Sequence, residues 1–557
     1  MNVSLGKYQS EIENTLIRIS KEKIVQRIWQ KDYTVWRKDP TEISNRLGWL
    51  DCIEVTKISF NEIKSFVEEI KNEGFTNALL MGMGGSSLAP EVFRMTFGLK
   101  QGYLDLNVLD STHPGTILEY ERKLVPDKTL YIVSTKSGGT IETMSFMKYF
   151  FNAVSKKIGK DNASKHFIAI TDPGSGLEET AKKLNFRKIF LNDPDIGGRF
   201  SALSLFGIVP ASLVGIDIEK LFEETSKMIT NFKLPEINDN SSAKLGAIIS
   251  SLAKEGVDKL TLIISPQLKY LGGWLEQLIA ESTGKNGKGI LPVDLEPLVS
   301  VDEYSNDRAF VYIKLSGDNF YDKKVSEIKS SGSPVIEIEL QDIYQLGAEF
   351  FRWEFATAIA GYVLDVQPFD QPNVESAKVA AREMMKEYQN KGRLPELNPT
   401  FESDGIKIFS EINFENLKDT FSSFLSDCKK GVSYVAIHVY LKPDEIIWQQ
   451  LQLLRLKILQ EYKLATTLGY GPRFLHSTGQ LHKGDSGNGY FIQFISDTQN
   501  DIPIPDEAGN NSSSVSFGIL IKAQALGDRQ ALLSNNRKVI SIDLGKDVPG
   551  SLSKLIV

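Results

Sequence analysis

The fold is decided by the stretch Asn77-Ala78-Leu79-Leu80-Met81-Gly82-Met83-Gly84-Gly85-Ser86-Ser87, in which a strand-like apolar run enters a turn rich in glycine and serine. Leu88 to Phe97 follows with the length and period of a helix, so the segment predicts a strand, a tight turn and a helix. The start of a helix offers unpaired N–H groups and the positive end of its dipole, which favours a bound anion. A plain tight turn with a serine cap explains this one segment equally well.

The alternation of strand and helix continues toward the carboxyl end of the chain. It restarts after the polar stretch Asn238 to Ser242, and residues 391–402, which contain glycine and prolines, predict a linker to a further α/β region. Such alternation predicts parallel, doubly wound sheets that bind ligands at the carboxyl ends of their strands. The predicted strands before the linker are Leu104 to Leu109, Thr129 to Ser134, His166 to Thr171, Leu260 to Ser265, Ala309 to Lys314 and Pro334 to Leu340.

Composition narrows the class of protein. The 557 residues include 64 Lys+Arg and 71 Asp+Glu, and this acidic excess argues against nucleic acid or an anionic membrane as the main partner. Two cysteines exclude a disulfide framework, and the five histidines form no cluster at metal-ligand spacing. The start lacks a long apolar segment, and no uncharged run reaches the roughly 18 residues that a membrane span needs. We expect a cytoplasmic protein without a bound metal.

A second turn strengthens the prediction of an anion site. Ser134-Thr135-Lys136-Ser137-Gly138-Gly139-Thr140 also follows a strand and opens a helix, and turns in neighbouring βα units can converge on one tetrahedral anion. The loop contains no acidic metal ligand, so hydroxyls and N–H groups would hold the anion without magnesium, which argues against ATP. Composition alone favours Lys136 as a solvated loop residue over a ligand contact.

Two further segments bring charge next to glycine. Gly197-Gly198-Arg199-Phe200-Ser201 presents a guanidinium from a turn, and Ala280-Glu281-Ser282-Thr283-Gly284-Lys285 places a carboxylate at the unfavourable end of a helix. A misplaced charge is typical of functional sites and suits a catalytic base. Taken singly, Glu281 is better explained as a surface helix residue than as a catalytic base.

These motifs, together with Phe369-Asp370-Gln371-Pro372-Asn373-Val374-Glu375-Ser376-Ala377-Lys378, occur in the order found in glucose-6-phosphate isomerases, which the chain resembles over residues 40–390. The resemblance implies two flavodoxin-like, doubly wound parallel-sheet sugar-isomerase domains plus a C-terminal α/β region. Residues 473–484 look like the carboxyl-terminal part of bifunctional transaldolase/glucose-6-phosphate isomerase fusions. The predicted division is a helical segment at 1–60, sugar-isomerase domains at 61–235 and 236–390, and the C-terminal region at 391–557.

The resemblance also implies roles for individual residues. Glu281 would move a proton between C2 and C1 through a cis-enediol, Arg199 would stabilise the enediolate oxygen, and Lys378 would assist ring opening. No cofactor is implied, and the family suggests a homodimer. The expected substrate-binding residues, most of them around the 6-phosphate, are Gly85, Ser86, Thr135, Lys136, Ser137, Thr140 and Gln371.

One departure from the family concerns histidine. The family has a ring-opening histidine about thirty residues after the base, but residues 301–310 contain none. We hypothesise that the C-terminal region supplies it, with His476 first and His482 second, although either could instead stabilise its own loop. His113 could border the sugar, and the two remaining histidines, His166 and His438, are expected to be structural.

A second departure concerns the anion. Gly138 and Gly139 stand where the family carries threonines, so a 6-sulfonated hexose (sulfoquinovose) is an alternative to a sugar phosphate. A non-catalytic sugar-phosphate sensor is a weaker alternative, because such sensors need neither Glu281 nor Lys378. The leading hypothesis is isomerisation of glucose 6-phosphate to fructose 6-phosphate.

Overall fold

The computed structural model describes residues 1–498 and 500–556, and it contains two five-stranded sheets, one six-stranded sheet and a two-stranded ribbon. Before the first sheet the chain forms strand β1 (Asn2–Ser4) and helices α1 (Gln9–Lys21), α2 (Ile24–Trp29), α3 (Cys52–Lys57) and α4 (Phe60–Asn72). Strand β1 lies antiparallel beside a strand of the second sheet, with Val3 opposite Ile336, at a position where the sequence predicts helix.

The first sheet is wholly parallel. Its strands are β2 (Asn77–Gly82), β3 (Asp105–Leu109), β4 (Thr129–Ser134), β5 (Phe167–Thr171) and β6 (Lys188–Leu191), in the order β3-β2-β4-β5-β6. Apolar runs such as residues 78–81 are buried on both faces, as parallel sheets require. The accompanying helices are α5 (Gly85–Phe97), α6 (Pro114–Lys123), α7 (Ile141–Ile158), α8 (Lys160–Ser164), α9 (Gly176–Lys183), α10 (Leu205–Leu213) and α11 (Ile218–Phe232).

The second sheet repeats the pattern. Its elements are α12 (Ser241–Lys254), β7 (Lys259–Ile264), α13 (Leu271–Thr283), β8 (Leu291–Val293), β9 (Arg308–Leu315), α14 (Asp322–Ser330), β10 (Val335–Leu340), α15 (Leu346–Leu364) and α16 (Val374–Lys391). The order is β1-β10-β9-β7-β8, with every pair parallel except β1 and β10. Trp353 and Phe351 of α15 belong to one apolar core with Trp49 and Phe200, which joins the two sheet units.

The C-terminal region forms the six-stranded sheet, in the order β11-β12-β18-β15-β13-β14. Its elements are β11 (Phe401–Ser403), β12 (Ile406–Phe409), α17 (Thr420–Phe424), β13 (Tyr434–Tyr440), α18 (Glu445–Tyr462), β14 (Ala465–Tyr470), α19 (Gly479–Gly484), β15 (Gly489–Ile495), β16 (Pro503–Ile504), β17 (Val515–Ser516), α20 (Phe517–Ser534), β18 (Lys538–Asp543) and α21 (Val548–Ile556). Residues 501–514 contain β16, which pairs with β17.

All three sheets share one strand order. In each, the first parallel strand lies between the second and the third, and the fourth follows the third: β3-β2-β4-β5, β8-β7-β9-β10 and β14-β13-β15-β18. This is the flavodoxin-like order, which opens a crevice at the carboxyl ends of the first and third strands. The α/β prediction is confirmed. Within the described residues, no helix has the length and apolarity needed to span a membrane.

Candidate active site

Two glycine- and hydroxyl-rich turns lie side by side at the crevice of the first sheet. Gly82 at the end of β2 is the register partner of Ser134 at the end of β4, and the Ser134 hydroxyl donates to the Ser86 carbonyl at 3.3 Å. The Thr135 and Thr140 hydroxyls are 3.1 Å apart. Thr140 precedes α7 without capping it through its side chain, so its hydroxyl is available to a ligand. Two helix starts therefore converge on one point, an arrangement suited to an anion.

Lys136 lies in the second turn but its ammonium is engaged elsewhere. It pairs with the Asp172 carboxylate and donates to the Pro194 carbonyl at 2.7 Å. The Ser137 hydroxyl accepts from the Gly139 amide at 3.2 Å, which shapes the turn from within. The structure thus presents backbone N–H groups and hydroxyls at this turn, with the lysine charge neutralised by an acid.

Arg199 reaches the anion turns through a close backbone approach. A Cβ atom on Gly85 would lie 1.9 Å from the Gly198 carbonyl oxygen, so only glycine at position 85 allows the two segments to touch. Burial lowers the pKa of the Arg199 guanidinium from its ordinary value, while the nearby Glu281 and Asp370 carboxylates act to raise it. The guanidinium donates to the Ser282 hydroxyl at 2.8 Å, the Gln371 side-chain oxygen at 2.8 Å, the Pro368 carbonyl at 2.7 Å and the Asp370 carbonyl at 2.9 Å.

Glu281 faces this guanidinium. Its Oε1 lies 3.6 Å from Arg199 Nη1, and its Oε2 accepts from Gln277 at 3.2 Å. Glu281 is 8 % exposed, and it lies in the last turn of α13 as the sequence predicts. A buried carboxylate beside a fixed guanidinium places a proton acceptor and an oxyanion partner within reach of one substrate carbon pair.

Loop 367–371 and helix α16 close the other side. The Lys285 ammonium donates to the Asp370 carboxylate at 2.7 Å and to the Gln367 carbonyl at 2.7 Å. Burial lowers the pKa of Lys285 to about 8, with the Arg199 charge acting in the same direction. Lys378 of α16 pairs with Glu375 at 2.9 Å and retains partial exposure.

His476 of the C-terminal region joins the same site. Its Nε2 donates to Glu142 Oε1 at 3.1 Å, and its carbonyl accepts from Gln277 at 2.8 Å. Gln277 also binds Glu281, so the histidine segment and the carboxylate share one amide. The fold thus brings together the His476 segment and Glu281, which lie 195 positions apart in the sequence.

Glu142 also belongs to the site, although the sequence motifs assign it no role. It lies in the first turn of α7, directly after the second anion turn, and is 4 % exposed. The only sequence signal for Glu142 is that an acidic residue directly follows an anion-binding turn. Its partner, His476, comes from a distant segment and could not be inferred from that signal. Burial acts to raise the pKa of Glu142, yet attraction and hydrogen bonding from His476 outweigh it and hold that pKa below its ordinary value.

His482 lies in a different buried cluster. Its Nδ1 is 3.1 Å from His438 Nε2, and His438 Nδ1 is 3.0 Å from Asp528 Oδ2. Lys483 also binds Asp528, at 2.7 Å. His113 accepts from the Gly115 amide at 3.1 Å and so caps α6. Of the candidate histidines, the geometry brings His476 to the Glu281 site.

Residues 51–291 match the family model for phosphoglucose isomerase. This segment of the chain is therefore similar to phosphoglucose isomerases. Among similar proteins, glucose-6-phosphate isomerase of Mycoplasmopsis pulmonis is 29 % identical over 380 residues, which cover 60 % of this chain and 88 % of the relative. The enzyme of the same name from Streptococcus agalactiae serotype III is 28 % identical over 391 residues, covering 60 % and 86 %.

Solved structures share the fold. A hypothetical protein of Thermus thermophilus superposes with a TM-score of 0.59 at 23 % identity, covering 69 % of this chain and 99 % of its own. A glucose-6-phosphate isomerase from Chlamydia trachomatis superposes with a TM-score of 0.54 at 16 % identity, covering 68 % and 86 %. Both structures share the fold of this chain, in agreement with the predicted α/β class.

Proposed function

We propose that the chain is an aldose–ketose isomerase that interconverts glucose 6-phosphate and fructose 6-phosphate. The observation that carries this proposal is the buried Glu281 carboxylate 3.6 Å from the Arg199 guanidinium, on a segment that touches the anion turn at Gly85. The names of the family relatives, which are glucose-6-phosphate isomerases, support the substrate.

The phosphate would bind where helices α5 and α7 begin. Hydroxyls of Ser86, Thr135, Ser137 and Thr140, with N–H groups of the same turns, would share its charge among many donors. Gln371, which accepts from Arg199, would connect this end of the substrate to the reacting carbons. Anchoring the remote anion positions C1 and C2 and removes much of the entropic cost of reaching the reactive geometry.

Proton transfer follows from the two charges. Glu281 takes the proton from C2 of the open-chain aldose, the electron pair forms the C1–C2 double bond, and the carbonyl oxygen becomes an enediolate oxygen. Arg199 stabilises that oxygen, which then takes up a proton while the C2 hydroxyl gives one up. Glu281 returns its proton to C1, and the C2 oxygen becomes the carbonyl of the ketose. Ring opening precedes this step, and His476 with Lys378 would exchange the protons that it requires.

Each chain would carry a complete site. His476 comes from the C-terminal region of the same chain and reaches Glu142 there, so catalysis would need no residue from a second copy. The homodimer and the cytoplasmic location remain proposals that rest on the family resemblance. The kinship of residues 473–484 with transaldolase/isomerase fusions remains a proposal of the same kind.

The alternatives receive less support. Gly138 and Gly139 suggest a sulfonated hexose, but the relatives are named for a phosphorylated hexose, which does not favour it. A sensor would have no use for a buried Glu281 facing Arg199.

Deuterium incorporation tests the proposal. In D2O the wild-type chain should introduce deuterium at C2 of glucose 6-phosphate, and Glu281→Gln should abolish incorporation while the fold persists. Glu349→Gln is the matched control, because Glu349 is a buried carboxylate paired with Arg352 at 2.8 Å away from this site. Incorporation at wild-type rate by Glu281→Gln, or faster turnover of sulfoquinovose than of glucose 6-phosphate, would refute the proposal.

A further inference from the structure

A buried chain of hydrogen bonds extends from the C-terminal region to His476. The Thr112 hydroxyl donates to Gln524 Oε1 at 2.8 Å, and Gln524 Nε2 donates to Glu142 Oε1 at 2.7 Å. Glu142 Oε1 also accepts from His476 Nε2, at 3.1 Å. Thr112, Glu142 and Gln524 are each less than 5 % exposed. The four side chains come from three distant parts of the sequence, and two of them, Gln524 and His476, donate to the same oxygen of Glu142.

Glu142 determines which group donates and which accepts in each of these hydrogen bonds. A carboxylate can only accept, so Gln524 must turn its NH2 group toward it and its oxygen toward Thr112. The Thr112 hydroxyl must then donate, and His476 must carry its proton on Nε2. In the neutral ring this leaves a lone pair on Nδ1, the nitrogen that does not face Glu142.

Gln524 limits what Glu142 can do. Its N–H donates to the same Oε1 atom that accepts from His476, and this hydrogen bond holds the carboxylate in one rotamer. Without that donor the carboxylate could rotate, and the imidazole would lose its fixed acceptor. An imidazole that is free to change tautomer or to turn exchanges protons less efficiently with a bound substrate.

We propose that Gln524, held by Thr112, is a positioning residue that fixes the tautomer and orientation of His476 for ring opening. This inference rests on the proposed function, because it assigns His476 to the ring-opening step. It also gives helix α20, and with it the C-terminal region, a direct part in the chemistry of the first two sheet units.

The variant Gln524→Leu removes the amide and keeps much of the volume. Gln493→Leu is the matched control, since Gln493 is also buried in the C-terminal sheet and makes two hydrogen bonds, to the Ala525 carbonyl at 3.0 Å and with Ser541 at 2.8 Å. Should Gln524→Leu fail to fold, Thr112→Val removes only the hydroxyl that orients the amide.

The first readout needs no substrate. With 15N-labelled histidine the five imidazoles are few enough to resolve, and His476→Ala assigns one of them. The wild-type protein should show His476 with its proton on Nε2. Gln524→Leu should show averaging between tautomers, and Gln493→Leu should resemble wild type. A wild-type spectrum with the proton on Nδ1, or an unchanged tautomer in Gln524→Leu and Thr112→Val, would overturn the inference.

The second readout separates ring opening from isomerisation. In a Glu281→Gln background, exchange between the α and β anomers of glucose 6-phosphate, followed by NMR, measures ring opening alone. Adding Gln524→Leu should slow enzyme-catalysed exchange roughly ten- to hundredfold, within the range of a general acid–base contribution. Exchange unaffected by Gln524→Leu, equal slowing by Gln493→Leu, or no catalysed exchange in Glu281→Gln would each refute it. A failed isomerase proposal would instead appear as missing C2 deuteration with the Nε2 tautomer intact.

Discussion

Replacing Gly85 by alanine tests whether the contact between the anion turn and the Arg199 segment sets the active-site geometry. The added Cβ would lie 1.9 Å from the Gly198 carbonyl oxygen and 2.6 Å from its carbon, and both are backbone atoms. Side-chain rotation cannot relieve this clash. Restoring even the 3.0 Å that real Cβ atoms keep requires the two segments to separate by about 1.1 Å.

The cost has two parts. Crowding of this kind destabilises a protein by about 1–3 kcal/mol, so a folded variant is expected. A shift of about 1 Å in a positioned group costs on the order of a hundredfold in rate, and here it moves Arg199 away from the enediolate oxygen. We therefore expect Gly85→Ala to lower kcat for glucose 6-phosphate about a hundredfold.

The assay is steady-state isomerisation in both directions, with Tm recorded for each protein. Gly176→Ala is the control, because its new Cβ would have no neighbour closer than 3.8 Å and α9 begins at that residue. A Gly85→Ala enzyme with kcat within threefold of wild type would show that the clash is absorbed without moving Arg199, and would contradict the role given to this contact.

Further expectations follow from the charges of the site. Turnover should decline above about pH 8, because Lys285 loses its proton there and with it the ion pair to Asp370. Arginine stays charged in this range, so in a profile of kcat against pH the decline should move to higher pH in Lys285→Arg. Arg199→Lys should lower kcat by about 100- to 1000-fold, because an ammonium group cannot replace a planar guanidinium that donates to Ser282 and Gln371 at once. A kcat like that of the wild type would contradict the role of the guanidinium. Specific activity should stay constant on dilution through any dimer dissociation observed by analytical ultracentrifugation; a loss that parallels dissociation would show that the site needs a second copy. Prolonged EDTA treatment should leave turnover unchanged, because hydroxyl, amide and guanidinium groups would bind the substrate. A loss of turnover that a divalent cation restores would contradict this expectation.

The regular elements of the fold were predictable because their signals are local. The turn at 134–140 opens helix α7 as predicted, since an apolar periodic run follows a hydroxyl and ends at Gly159. The short strand β1 escaped prediction, because three residues carry too little pattern and the strand forms only against β10. The predicted start of α5, Leu88, is three residues later than the observed start, Gly85, because a glycine followed by two serines is typical of a loop.

The sequence alone determined which chemical groups are available: two hydroxyl-rich turns at strand ends, an acid in the last turn of a helix, an arginine between glycines, and no histidine at residues 301–310. Those are properties of composition and spacing. Only the tertiary structure decided how the groups are paired. It engages Lys136 with Asp172, places His482 with His438 and brings His476 to Glu142. The physical reason is that a buried polar group must find a partner wherever packing provides one, and that partner can be hundreds of residues away.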